Sequence, residues 1–114
     1  MKVYSWEDAL TVKSDVAGFD DWRLPTRDEL QALVDCGENG TSPPPLQESC
    51  ESGFRRPTIN QDAFPDTLPA PYWSASARDE NPLHAWNVDF NYGITNYFNK
   101  SGSRSVRLVR EVKE

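Results

Sequence analysis

Trp86-Asn87-Val88-Asp89-Phe90, followed by Asn91-Tyr92-Gly93 and then by Ile94 to Asn99, is the stretch whose reading decides the fold. Trp86, Val88 and Phe90 alternate with Asn87 and Asp89, the period-two pattern of a strand with one apolar face. Asn91-Tyr92-Gly93 reads as a hairpin turn and Ile94 to Asn99 as the returning strand. Downstream, Ser101-Gly102-Ser103 turns the chain again, and Arg104 to Val112 is expected to form a last strand with Val106 and Leu108 inward. Upstream, Tyr72-Trp73-Ser74-Ala75-Ser76 reads as a further strand.

The residues before these strands carry helical signals. Ser5 offers a hydroxyl cap, and Glu7 and Asp8 place acids in the first turn, where the helix dipole favours negative charge. Trp6, Ala9, Leu10, Lys13 and Val16 then recur at helical spacing as far as Gly18. Thr26 and Glu29 form a capping box, with Leu30, Leu33 and Val34 continuing that second helix to a stop at Gly37. Two helices followed by an antiparallel meander define the α+β class. Between Gly37 and Thr67 lies an irregular stretch with Pro43-Pro44-Pro45, and Cys36 and Cys50 flank its first part. Trp22, Leu24, Leu30, Trp73, Trp86, Val88, Phe90, Val106 and Leu108 are the expected core.

Residues 1–114 fit one domain, read here as an excised domain or the distal end of a longer protein. At 37% hydrophobic and 11% aromatic residues, a core can form despite the polar average. The net charge of −6 is uneven, with six Lys/Arg against thirteen Asp/Glu in residues 1–66 and six against five in residues 67–114. The second half is therefore the less repulsive surface for an anionic ligand. No clustered basic stripe of the kind nucleic acid requires is present, so no nucleic-acid partner is expected. No apolar run approaches the roughly 20 residues that span a bilayer, and membrane insertion is not expected.

Trp6-Glu7-Asp8-Ala9, Gly18-Phe19-Asp20-Asp21-Trp22-Arg23-Leu24-Pro25-Thr26, Glu29-Leu30, Phe64-Pro65, Tyr72-Trp73-Ser74, Ala85-Trp86 with Val88-Asp89-Phe90 and Gly93, and Val106 to Arg110 follow one another in an order that resembles the Legionella collagen-like protein C-terminal domain family. The likeness runs nearly end to end and is most specific at Asp21 to Thr26. It implies a C-type-lectin-like fold related to the formylglycine-generating enzyme fold, in bacterial surface and adhesive proteins. Some members bind sulfated glycans, and some related domains are hypervariable receptor-binding proteins of diversity-generating retroelements. Because such folds join their ends, Val3 or Tyr4 is expected beside the strand from Arg104 to Val112. Family members often carry a cysteine in the first helix and another in the terminal strand, where Lys13 and Leu108 stand here, so any bridge in this chain staples the proline loop and not the core.

Cys36 and Cys50 admit three readings: a disulfide, a metal pair, or a reactive thiol with a resolving partner. The bridge is favoured because two cysteines without nearby histidines cannot complete a tetrahedral zinc site. It would imply an oxidising compartment, consistent with an extracellular or cell-surface location. His84, the only histidine, has no cysteine nucleophile positioned beside it and reads first as an exposed strand-edge imidazole. Glu80-Asn81-Pro82 and Trp86-Asn87-Val88-Asp89 resemble the calcium and sugar motifs of animal lectins, but their order and spacing differ, and no cofactor is expected. Arg23, beside Asp20, Asp21 and Glu29, reads as part of a fold-internal ion pair. Arg107 and Arg110 point to opposite faces of a strand and make no joint anion clamp. Asn39-Gly40-Thr41 and Asn99-Lys100-Ser101 match the glycosylation sequon.

The residues between Arg78 and Arg104 that lie outside the family pattern are rich in amides and aromatic hydroxyls, the chemistry of adaptable recognition surfaces, although Asn, Gly and Ser also simply make turns. The candidate ligand-binding set is Arg78, His84, Asn91, Tyr92, Thr95, Tyr97, Asn99, Lys100 and Arg104. Thr95, Tyr97 and Asn99 share one face by alternation, and Tyr92 extends it at the turn. The expected function is non-catalytic, adhesin-like or receptor-binding recognition of a glycan or protein. Two alternatives stand beside it: a retroelement-diversified variable protein, and an enzyme of formylglycine-generating type, whose active-site motif does not align with Cys36 and Cys50. A homo-oligomer capping a fibrous stalk is a further reading.

Overall fold

The computed structural model describes residues 3–12, 18, 21–37, 44–50 and 56–110. Ser5 caps α1 (Trp6–Leu10), its hydroxyl accepting from the Asp8 N–H at 3.3 Å. The helix closes on Thr11, well before Gly18; Lys13 and Val16 of the expected extension lie outside the described residues. The capping box of α2 (Arg27–Gln31) is complete: the Glu29 N–H donates to Thr26 Oγ1 at 3.2 Å, and the Thr26 N–H to Glu29 Oε1 at 2.8 Å. Leu33 and Val34, expected within this helix, follow it in tighter turns, bonded to the carbonyls of Leu30 and Gln31 three residues back. Arg23 holds the capping carboxylate from the other side through two 2.7 Å bonds, the fold-internal ion pair that the sequence predicts.

The strands β1 (Pro71–Ala77), β2 (His84–Asp89) and β3 (Ile94–Asn99) form one antiparallel sheet in the order β1-β2-β3, completing a small α+β fold. Between β2 and β3, Gly93 turns with φ +72, its N–H donating to the Asp89 carbonyl at 2.8 Å, while the Asp89 carboxylate accepts from the Asn91 N–H at 2.8 Å. Strand alternation sends Tyr72 and Val88 to one side of the sheet and Trp73 and Ala85 to the other, and both sides are covered. Leu30, Val34, Ile59 and Phe90 close over the first side, whereas Ala9 and Leu24 close over the second with Tyr4, Trp6, Val106 and Leu108 packed around them.

The bridge between Cys36 and Cys50 is formed, with Cα atoms 5.6 Å apart. It departs from expectation in where it sits: both cysteines are buried members of the first core cluster, and the Cys50 sulfur packs where a side chain on Gly93 would stand. The bridge therefore staples loop to core. Pairs from the Cys50 N–H to the Tyr92 carbonyl (2.8 Å) and from the Gln47 N–H to the Thr95 carbonyl (2.7 Å) lay residues 44–50 along the hairpin.

Three further expectations are corrected. Arg104 to Val112 does not form a ladder: the described part makes isolated bridges to three different partners, Tyr4 with Arg104, Tyr72 with Ser105 and Arg23 with Val109, and Val112 lies outside the described residues. Trp86 has the predicted register but is half-buried, because the five-residue α2 covers Val88 and leaves only the Arg27 side chain over the indole. Trp22 is half-buried as well and belongs to neither core cluster. The first and last described segments meet as expected, Tyr4 and Arg104 exchanging backbone bonds of 2.8 and 2.9 Å. Among the described residues no helix is long and apolar enough to cross a membrane.

Replacing Cys36 and Cys50 with Ser is expected to lower the free energy of unfolding in denaturant by about 3 kcal/mol, the loop-closure value for a ring of this size. Gly93→Ala should cost more than the roughly 1–2 kcal/mol of a left-handed alanine, since its methyl group would overlap the Cys50 sulfur. The bonds from Arg23 and then from the Thr26 N–H hold the Glu29 carboxyl well below the usual carboxylate range, at about 2. A depressed folded value stabilises the fold above the ordinary carboxylate pKa, and that contribution disappears as pH falls towards 2. The pair is partly exposed, with side chains 38% and 43% accessible, so about 1 kcal/mol is its ceiling. Acid unfolding of Glu29→Gln should lack this component.

Candidate functional site

Cross-strand pairing of Trp86 with Tyr97, Val88 with Thr95 and His84 with Asn99 groups Thr95, Tyr97 and Asn99 on one face, as alternation predicts. That face also carries Trp86 and Val88, so position along it decides what a ligand can reach. Thr95 lies at the covered end: it is 1% exposed and its hydroxyl has no partner among the described residues. Tyr97 is half-buried, and Asn99, at the far end, is exposed.

Around Tyr97 the side chains interlock. The Arg78 guanidinium lies 3.6 Å from the Tyr97 ring centroid, and its Nη1 stands 3.2 Å from His84 Nδ1 while Nη2 meets Glu80 at 3.2 Å. His84 stacks beside Tyr97 with centroids 5.2 Å apart and planes 19° apart, and Trp86 meets the phenol edge-on at 5.6 Å. Arg27 completes the row, 4.8 Å over the Trp86 ring. A guanidinium only donates, so in a hydrogen bond across this contact His84 Nδ1 is the acceptor. His84 is thus a half-buried residue opening the central strand, not the exposed edge imidazole expected of it.

The remaining candidates disperse. Lys100 Nζ sits 4.5 Å over the Trp6 ring at the end of β3, beside Asn99, whose Oδ1 accepts from both the N–H and the hydroxyl of Ser101. Asn91 and Tyr92 are at the hairpin tip, where Tyr92 is 46% exposed and Arg56 lies 5.2 Å over its ring. Arg104 belongs to the opposite side of the sheet, 3.9 Å over Phe98, and burial pulls its pKa down against the opposing pull of Asp89. The nine residues therefore divide into a cluster of Arg78, His84 and Tyr97, a strand-end pair of Asn99 and Lys100, a tip, a far-side arginine and a buried threonine.

Arg27, Trp86, Phe98 and Leu83 were not among the candidates. Leu83 stands out at 65% exposure, and nothing local in the sequence marks Arg27 as the cover of an indole on a distant strand. Arg107 and Arg110 go separate ways, to Thr67 Oγ1 and to the Asp21 carboxylate, so the expected lack of a joint clamp holds. Of the sequons, Asn39-Gly40-Thr41 lies outside the described residues. Two clefts flank the face: one of about 270 Å³ beside Arg27 and Trp86, and one of about 440 Å³ between Ser5, Glu7, Pro82, Leu83 and the turn at Asn99 to Ser101.

A two-helix, three-strand α+β fold in which Tyr4 pairs with Arg104, with a row of cationic and aromatic side chains on one sheet face, is the class defined by this geometry. The chain belongs to the Lcl C-terminal domain family, whose model matches residues 1–110. No curated protein matches the chain.

If the Arg78 row is surface and the Trp73 side is scaffold, their truncations separate cleanly. Arg78→Ala should cost about 1–2 kcal/mol, the scale of a largely covered cation–π contact. Trp73→Ala, at a site 0% exposed, should cost about 3–5 kcal/mol in the same denaturation series.

Proposed function

We propose that this chain is a non-catalytic, C-type-lectin-like binding module of adhesin type, which engages a glycan or protein ligand through the sheet face around Tyr97. The interlocked row of Arg78, His84, Tyr97 and Trp86 is the observation that carries this reading. Tyr, Trp and Arg dominate the energetic centres of recognition surfaces, because large rings and planar guanidinium groups bury much area at little entropic cost. Here they are already held against one another, so little ordering remains for a ligand to impose.

A binding role also fits the state of the nucleophilic residues. Both cysteines are consumed in the disulfide, and the one histidine is engaged by Arg78 and Tyr97. An enzyme built on a reactive thiol has no thiol to use while that bridge is intact. The bridge is compatible with an oxidising, extracellular or surface setting.

The experiment is a screen of the purified chain on glycan arrays and immobilised surface-protein arrays, repeated with Arg78→Ala/Tyr97→Ala. Specific binding by the wild type and at least tenfold weaker binding by the folded double variant is the expected pair of results. Undiminished binding by that variant would remove the Tyr97 face from the account.

A further inference from the structure

We infer that the outer edge of β3 from Tyr97 to Asn99 is a strand-addition site, which takes an extended acidic peptide of a partner protein running parallel to β3. This rests on reading the chain as a binding module, but it moves the contact from the side chains of the Tyr97 row to the backbone and commits to the partner's chemistry.

Register decides where the backbone of β3 points. In an antiparallel pair, alternate residues bond across the ladder and those between them turn their N–H and C=O groups outward. The Lys100 N–H donates to the Leu83 carbonyl at 2.9 Å, so Lys100 and, in register, Phe98 and Asn96 bond towards β2. Thr95, Tyr97 and Asn99 therefore face outward, on a strand that is last in the sheet order. The first half of this edge is covered by the disulfide loop, whose Gln47 N–H donates to the Thr95 carbonyl at 2.7 Å. Gln47, at φ +65, then turns the loop away to α2, where Gln31 Nε2 donates to the Pro44 carbonyl at 3.0 Å.

Beyond that point two outward groups are engaged: the Tyr97 N–H donates to Asn96 Oδ1 at 2.9 Å, and the Asn99 carbonyl accepts from the Gly102 N–H at 2.9 Å. The Tyr97 carbonyl and the Asn99 N–H have no partner among the described residues. An acceptor and a donor flanking Phe98 are what a parallel bridge requires: one residue opposite Phe98 donates to Tyr97 and accepts from Asn99. The other edge of the sheet shows this arrangement filled, Ser105 opposite Tyr72 donating to the Pro71 carbonyl and accepting from the Trp73 N–H, each at 3.0 Å. An antiparallel bridge needs both groups of a single residue, which neither Tyr97 nor Asn99 has to give. The same count opposes a second copy paired β3 to β3 about a twofold axis normal to the sheet, since that pairing is antiparallel.

Side chains set the peptide's character. The residue opposite Phe98 falls on the Phe98 face, where the ring is 44% exposed yet fixed: Arg104 lies 3.9 Å over it, and a methyl group on Gly102 would stand 2.5 Å from it. An apolar side chain covers that ring. Its neighbours in the peptide fall on the Tyr97 face, where the Arg78 guanidinium lies 3.6 Å from the ring centroid. Arginines thus stand over both rings of the edge, and an alternation of apolar and acidic residues complements them. Main-chain bonds supply the affinity of such additions and alternate side chains the specificity.

The test is a chemical-shift titration of the isotope-labelled chain with a capped hexapeptide of alternating Glu and Val. The Asn99 backbone N–H should move downfield saturably, and a hexapeptide of alternating Lys and Val should bind at least tenfold more weakly. N-methylation of the valines, which removes the N–H groups aimed at β3, should weaken binding at least tenfold, and N-methylation of the glutamates should not. Asn99→Pro removes the donor and should abolish binding, while Asn99→Ala keeps it and should not; if Asn99→Pro fails to fold, the N-methylated peptides decide alone. A spin label on the peptide C-terminus should broaden the Ser101 amide and not that of Gln47. The inference is overturned if Asn99 does not respond, if the lysine peptide or the N-methyl-valine peptide binds as well, if the label broadens Gln47, or if the free chain is a dimer that Asn99→Pro dissociates. Each of these leaves the binding-module reading to its own test, because Arg78→Ala/Tyr97→Ala alters side chains and keeps the backbone groups of the edge.

Discussion

Trp73 is the constraint on which the rest of the fold depends. It is 0% exposed, its indole N–H donates to the Tyr4 carbonyl at 2.8 Å, and its backbone N–H donates to Ser105 at 3.0 Å. Its indole thus ties β1 to the first described segment of the chain, and its backbone ties β1 to the last. Tyr4 leads into α1, where Trp6 reaches both the Ser74 carbonyl through its indole and the Lys100 carbonyl through its backbone. Neither terminal segment is a ladder strand, so the indole bond adds to isolated bridges and to the Trp6 bonds in holding the first segment to the sheet.

The opposite side of the sheet is secured differently. There the disulfide, buried beside Val34 and Phe90, presses residues 44–50 against the hairpin, and Gly93 is the one residue type that leaves room for its sulfur. Between these two anchors lies the stretch from Arg78 to Lys100, whose outward side chains are fixed mainly by one another. Arg78 on Tyr97, Arg27 on Trp86, Lys100 on Trp6 and Arg104 on Phe98 all place a cation over an aromatic ring. In a chain of net charge −6, these stacks hold basic groups in place, and Arg27 and Arg78 each meet one carboxylate besides. The result is a mixed surface, not a single-sign field.

What the sequence disclosed was local. The Thr26–Glu29 box and the Asp89-to-Ile94 turn were legible because a few adjacent residues determine them, and the lone pair of cysteines left few choices for their bridge. Expectations failed where tertiary contact decides. The run from Arg104 onward has strand composition but is divided among three partners, which no pattern of its own reveals. Trp86 alternates like a core residue, yet alternation assigns a face and not the length of the helix covering it. For the same reason Thr95 and Tyr97, two residues apart on one face, differ between buried and accessible. Of the candidate site, Arg78, His84 and Tyr97 proved to be neighbours, whereas Arg104 stands across the sheet, because the turn at Asn99 to Gly102 carries the chain over to the other side before Arg104 pairs with Tyr4.

The central claim is that recognition occurs on the Tyr97 face, with the remainder acting as scaffold. Hydroxyl-radical footprinting tests it most directly, since Trp, Tyr, His and Leu side chains all report their own solvent access. The protein is labelled free and while bound to a ligand-bearing surface. The account predicts reduced labelling at His84, Trp86 and Tyr97, with Tyr92, Trp22 and Phe64 unchanged. Protection confined to Tyr92 and the neighbouring loop, with Tyr97 labelled as in the free protein, would contradict it.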